Sequence, residues 1–394
     1  MELYKGRALS GFTKNLPRMH EWRKIFIRAF VAIFGFQTIH RINMTTLKRI
    51  CFIMFLMLAI FCFASANAQQ ISKIGNGQMP AMVIDPAGVL NVVYGHDDSL
   101  WFSSSADKGH TFSAPKLITV LPGLASSHTR GPQIAATTNG LVVTAANQEG
   151  NIFSYTKKQQ QWSRAARVND ADTIAKEGLM SLSADKQNAF AVWLDLRGNR
   201  RNKIYGAASF DGGKTWSKNI PVYVSPEKTV CECCKPSVLV SGNKVYVMFR
   251  NFLEGNRNLY LITSSDMGKH WGKAEKLGEG NWKLNGCPMD GGGLALNGTN
   301  NINTIWRRES KIYTAMPGKP EQVVGEGKGC IIDAASGKQF FAWTENGEIV
   351  VTDGGATKKV LGKGSQPTIK ILDENHLVCV YTKDEQVMAT LLKL

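Results

Sequence analysis

The chain has 394 residues, a formal net charge of +16, 20% charged and 43% hydrophobic residues, 38 glycines and 8 cysteines. That length exceeds one ordinary hydrophobic core, so the chain is either several domains or a repeat architecture in which each unit packs only on its neighbours. The basic excess suits anionic ligands or an anionic envelope. No Lys/Arg cluster carries interleaved aromatics, which argues against nucleic acid as a partner.

In chain order, residues 1–43 are basic and partly apolar and read as an upstream artefact or an extended n-region. Met44-Thr-Thr-Leu-Lys48-Arg49 then opens a secretory signal peptide over 44–68. An apolar run covers 50–63, and Ala66-Asn67-Ala68 forms an Ala-x-Ala cleavage site before Gln69. The run is short for a membrane span. Cleavage after Ala68 implies a periplasmic or secreted protein with no stable span left. Residues 1–68 carry ten Lys/Arg and two Asp/Glu, so about half of the net charge lies there.

From Gln69 onward no long amphipathic helix is legible, and turn signals recur, which predicts an all-β domain over 69–394. A unit repeats along it: a small or Pro-containing start, an apolar strand, a Gly/Asn turn, and a second strand ending in an aromatic and polar residues. It starts seven times, at Met79-Pro80, Arg130-Gly131-Pro132, Gly178-Leu179, Lys235-Pro236, Gly291-Gly292, Cys330-Ile331 and Gln366-Pro367. The spacing suits four-stranded propeller blades. The last unit is one strand short, and residues 71–74 are predicted to supply it, closing the ring and removing the sheet edges.

Three units also carry Ser-x-Asp-x-Gly-x-x-(Trp/Phe): Ser105-Ala-Asp107-Lys-Gly109-His-Thr-Phe112, Ser209-Phe-Asp211-Gly-Gly213-Lys-Thr-Trp216 and Ser264-Ser-Asp266-Met-Gly268-Lys-His-Trp271. Each follows a strand-like run (100–104, 204–208, 259–263). Asp caps backbone N–H groups, Gly takes a positive φ, and the aromatic ring packs under the turn. This is the motif known as the Asp box, and the chain resembles the sialidase-like β-propellers across most of 78–394. Members of that family have six blades, whereas the count here gives seven. The turns lie on the face opposite the expected site, so Asp107, Asp211 and Asp266 receive structural roles.

The resemblance implies a glycoside hydrolase of exo-α-sialidase type acting on an acidic glycan. Family members hold the substrate carboxylate with three arginines, the first in an Arg-x-Pro start, and use a Tyr nucleophile primed by Glu with an Asp acid/base. Here the first start lacks arginine, and Arg130-Gly131-Pro132 matches one unit later. Arg130, Arg250 and Arg307 then form the expected carboxylate clamp, with Asp290 beside them. Glu177 falls where the priming Glu is expected, and Tyr381 is the nucleophile candidate. No aspartate matches the acid/base position outright. Asp97 and Asp98 precede Arg130, and Asp195 follows Glu177 and is carried forward as catalytic. The same arginines could instead make blade-to-blade salt bridges. That leaves a second reading, a non-catalytic propeller that binds a glycan or envelope protein.

The cysteines after the signal are Cys231, Cys233, Cys234, Cys287, Cys330 and Cys379. Cys379 sits within a strand and belongs to the core. The other five fall at unit starts on the site face. Export makes disulfides the default, with Cys233 or Cys234 to Cys287 and Cys231 to Cys330 as options. The remaining reading is a thiolate site for a soft ion such as copper, giving a third function class, a redox or metal-binding propeller. No cofactor is expected, and the protein is expected to be a monomer.

Overall fold

The computed structural model describes residues 70–298, 301–355 and 358–394. The upstream stretch 1–43, the signal peptide 44–68 and its cleavage site lie outside the described residues. No helix occurs among the described residues, and so none is long and apolar enough to cross a membrane.

The strands form seven four-stranded antiparallel sheets, six of them meanders of neighbours in sequence and the seventh closed by the N-terminal strand, so the chain is a seven-bladed β-propeller. The innermost strands are Gln78–Ile84, Gln133–Thr137, Met180–Asp185, Ser237–Ser241, Gly293–Asn297, Lys328–Ala335 and Ser365–Ile371, and they line an axial channel of ≈ 690 Å³. Blade 7 is completed by the N-terminal strand Gln70–Asn76. It pairs antiparallel with Gln386–Lys393, from Gln70 opposite Leu391 to Asn76 opposite Gln386. The predicted closure by residues 71–74 is therefore found, extended at both ends.

Each second strand is covered on both faces, which explains its continuous apolar run. In blade 1, Leu90, Val92, Val93 and Tyr94 are all buried, and the pattern repeats in Phe190–Leu194 and Val245–Phe249. Seven hydrophobic clusters result, one between each pair of adjacent blades. The last joins Val378, Val380 and Val387 of blade 7 to Met82, Leu90 and Tyr94 of blade 1. Late in the second strand an aromatic recurs, as Tyr94, Trp193, Phe249, Trp306, Trp343 and Tyr381, all buried. Truncating one of them to Ala costs about 3–5 kcal/mol.

The three octapeptide turns join third and fourth strands on the opposite face. In each, the serine hydroxyl donates to the aspartate (2.7–2.9 Å) and accepts the glycine N–H at 2.8 Å. The aspartate also accepts the N–H of residue i+4 (2.9, 3.0 and 2.9 Å). Hydrogen bonds from Thr111 and Ser105 bring the Asp107 carboxyl down to about 2. Gly213 has φ +86, and a Cβ there would lie 2.2 Å from Val142 of the preceding blade. The turn thus presses on its neighbour where only glycine fits.

Candidate functional site

In a meander blade, the start of the inner strand and the loop between strands two and three lie on one face. Seven such pairs surround the channel mouth. Two regions of this face hold nearly all the sequence-predicted site residues, and they differ in whether the polar groups are satisfied.

The first region is a cleft of ≈ 550 Å³ between blades 1 and 2. Its lining includes Gln78, Asp97, Asp98, Ser126, Ser127, Arg130, Gln148 and Lys176. Arg130 donates from Nε to the Glu177 carbonyl at 2.6 Å, and its guanidinium lies 3.4 Å from the Glu177 carboxylate. Asp98 accepts the Gly123 N–H at 2.9 Å, which anchors the loop 121–132 that forms the floor. By contrast, the side chains of Asp97, Gln148 and Lys176 are exposed and make no hydrogen bond or ion pair among the described residues. Next to Arg130, Thr129 lines the axial channel with φ 72, and its buried hydroxyl has no partner among the described residues. A β-branched residue in the left-handed region is strained, and such strain concentrates at functional positions.

The second region lies between blades 4 and 5 and is closed. Arg250 is 1% exposed. Its guanidinium donates to the carbonyls of Asp290 (3.1 Å from Nε and from an Nη), Arg257 (2.7 Å) and Arg307 (2.9 Å). Arg307 Nε donates to the Asp290 carboxylate at 2.8 Å, and the same carboxylate accepts the Gly329 N–H at 3.0 Å. Both guanidinium groups lie over the Trp282 ring, at 5.1 and 5.2 Å. Arg250, Asp290 and Arg307 are thus brought together, but as a clasp between blades. Four hydrogen bonds to backbone carbonyls occupy the buried Arg250 guanidinium, which leaves it no fork for a substrate carboxylate. Arg130 lies in the other region, so the three arginines do not form one clamp.

The remaining predicted residues are separated. Asp195 is 0% exposed and accepts from Trp193 Nε1 (2.9 Å) and from the Arg197 amide (2.8 Å) and guanidinium (2.9 Å). Tyr381 is 2% exposed, in blade 7, at the station that Trp193, Trp306 and Trp343 fill in other blades. A Cβ on Gly364 would lie 2.6 Å from its ring, and its hydroxyl lies 3.4 Å from Thr390 Oγ1. Burial pushes its phenol up. Glu177 precedes blade 3, so the structure does not bring Glu177 and Tyr381 together as a nucleophile pair.

Against the clasp lies the sulfur cluster. Cys233 is bonded to Cys287, with Cα atoms 6.1 Å apart. Cys231 does not pair with Cys330, which is buried in the core between blades 5 and 6. Instead the Cys231 sulfur lies 3.4 Å from Cys234 and 3.9 Å from Cys233, and Arg257 donates to it at 3.2 Å. The hydrogen bond with Cys234, helped by Arg250 and Arg257, brings the Cys231 thiol down to about 6. Burial pushes Cys234 well up.

Sequence reasoning missed Gln148, Lys176 and Lys235 as site residues. Lys235 lies at the channel mouth, 3.4 Å from Gln133 Oε1. Burial lowers its ammonium to about 8. Its position beside Pro236, at a unit start, was the available signal. Lys176 and Gln148 adjoin a flagged glutamate and a flagged second-strand end.

No protein-family model matches the chain, and no curated protein matches it in sequence. Solved structures are similar in fold. An α-L-arabinofuranosidase from Fusarium graminearum is 12% identical, with a TM-score of 0.48, covering 82% of this chain and 98% of that one. A lectin in complex with alpha methyl fucoside is 13% identical, with a TM-score of 0.48, covering 76% and 99%. The NanB sialidase from Streptococcus pneumoniae is 12% identical, with a TM-score of 0.42, covering 82% and 69%. At these identities the similarity concerns the propeller alone.

Proposed function

We propose that the chain is an exported carbohydrate-binding propeller whose sugar site is the cleft between blades 1 and 2. One observation carries this reading: Asp97, Gln148 and Lys176 line that cleft, and their hydrogen-bonding groups are unused among the described residues. A sugar offers a dense set of hydroxyls, each both donor and acceptor. A carboxylate, an amide and an ammonium around one concave site match that chemistry. Arg130 and Lys176 put cations in a lining that also holds Asp97 and Asp98, and the exposed Lys176 ammonium suits a glycan carrying a carboxylate. Export is supported by the Ala66-Asn67-Ala68 pattern and by the Cys233–Cys287 disulfide.

A hydrolytic role at the same cleft draws on Glu177, which lies beside Arg130, and on Asp97 and Asp98 in the cleft lining. The exo-sialidase version loses support from the closed positions of Arg250, Asp195 and Tyr381. A glycan array probed with the purified protein tests the binding reading. Retention of a defined set of glycans, lost in Lys176→Ala, is expected. Retention that persists in Lys176→Ala and Asp97→Ala would move the site elsewhere. Release of fluorophore from a panel of glycosides, α-sialosides included, would replace binding with hydrolysis.

A further inference from the structure

The sulfur cluster is not used by the sugar site and has a geometry of its own. The Cys231, Cys233 and Cys234 sulfurs all lie within 4.8 Å of one another. A metal–sulfur bond of ~2.3 Å with near-tetrahedral or trigonal angles places neighbouring sulfurs about 3.8–4 Å apart. The Cys231–Cys233 separation of 3.9 Å falls in that range, and Cys231 and Cys234, at 3.4 Å, need to part by about half an ångström to meet it. Cys231 is 0%, Cys234 2% and Cys233 8% exposed, so an ion held here would be shielded from water.

The surroundings select the ion. No histidine belongs to the group, and the nearby Asp290 carboxylate is turned to Arg307 and Gly329. An all-sulfur donor set favours soft ions. Three thiolates around a monovalent ion leave net negative charge, and cations stand ready to offset it. Arg257 donates to the Cys231 sulfur at 3.2 Å, and Arg250 lies alongside. The Asp290 N–H donates to the Cys234 sulfur at 3.4 Å. Such outer contacts orient sulfur ligands and fix their charge.

Cys233 is tied up by Cys287, which is exposed. The bond therefore joins an exposed cysteine to a buried one, beside the two buried thiols of Cys231 and Cys234. We propose that Cys231, Cys233 and Cys234 form a redox-gated site for one Cu(I)-class ion, opened when the Cys233–Cys287 disulfide is reduced. Reduction by a phosphine consumes one water: the S–S bond breaks, two thiols form, and the phosphine becomes its oxide. Binding then replaces the thiol protons of the three ligands, which leave to solvent, and the ion keeps its oxidation state.

The test is competition for Cu(I) between the full-length protein and a chromogenic Cu(I) chelator, in the absence of oxygen. Phosphine-reduced wild type is expected to withdraw one Cu(I) per chain. The oxidised protein is expected to bind at least tenfold more weakly. Cys231→Ser and Cys234→Ser are expected to lose affinity at least 100-fold after reduction. Cys287→Ser, which frees Cys233 without touching the three ligands, is expected to bind without reductant. This variant keeps the test decisive if the serine variants fold poorly. Equal uptake before and after reduction, or no uptake by Cys287→Ser, overturns the proposal. Sugar binding is read separately and is not expected to change with copper.

Discussion

Two regions of one face use the same stations of the repeat and end differently. Between blades 4 and 5, Arg250, Arg307 and Asp290 satisfy one another and nearby carbonyls, and the region closes around Trp282. Between blades 1 and 2, Arg130 is satisfied by Glu177, but Asp97, Gln148 and Lys176 have no side-chain partner among the described residues and border an open cleft. The difference teaches that charge at a propeller mouth marks a site only where its partners run out. A buried, fully partnered arginine belongs to the scaffold, whereas exposed groups of mixed charge around a cavity are available to a ligand.

The comparison breaks most readily at Arg250. Arg250→Met leaves the Asp290, Arg257 and Arg307 carbonyls without their charged donor and is expected to destabilise the protein by on the order of 3 kcal/mol, read from urea unfolding. A loss below about 1 kcal/mol together with abolished sugar binding would make Arg250 a ligand residue and erase the contrast.

Lys235 gives a smaller, oppositely directed effect. Its folded value of about 8 lies below the ordinary ~10.4 of a lysine. The charged form therefore disfavours folding: the penalty is fully present below pH 8, and stability rises between there and about 10.4. Lys235→Met is expected to stabilise the protein by on the order of 1 kcal/mol at neutral pH and to flatten that alkaline rise. Thermal unfolding from pH 7 to 10 reads both, and an unchanged slope in the variant would show that the ammonium is solvated.

The smallest effect concerns the turns on the far face. Asp107, held at about 2 by Thr111 and Ser105, contributes stability that is present above the ordinary value of ~3.9 and is lost as pH falls through about 2. A carbon-13 titration of its carboxyl is expected to show a midpoint near 2. A midpoint near the ordinary value would contradict the hydrogen bonding of all three turns, since they share it.

The fold was legible because a propeller repeats its physics. Three Ser-x-Asp-x-Gly turns marked a repeated unit, seven unit starts with apolar second strands gave the blade count, and the short last unit pointed to closure by the strand now seen at Gln70–Asn76. The site was half legible. Arg130 and Glu177 were flagged together by position, and they meet. Arg250 and Arg307 occupy matching stations, but what closes them is largely backbone carbonyls, which every residue carries and no sequence pattern displays. Tyr381 was readable as scaffold, since Trp193, Trp306 and Trp343 fill the same place in the repeat. The free state of Lys176 and Gln148 depends on what does not reach them, and only the packed loops 121–132 and 147–151 define that. The Cys233–Cys287 pairing was one of the options, whereas the approach of Cys231 to Cys234 follows from a tight turn at the start of blade 4.

The most direct measurement is calorimetric titration of a glycan retained on the array into wild type, Lys176→Ala and Arg307→Ala. The account predicts that Lys176→Ala weakens binding at least tenfold while its unfolding free energy stays within about 0.5 kcal/mol of wild type, as for an exposed side chain. It also predicts that the folded fraction of Arg307→Ala binds as wild type does. Full affinity in Lys176→Ala, with binding lost in folded Arg307→Ala, would place the ligand at the clasp and contradict it.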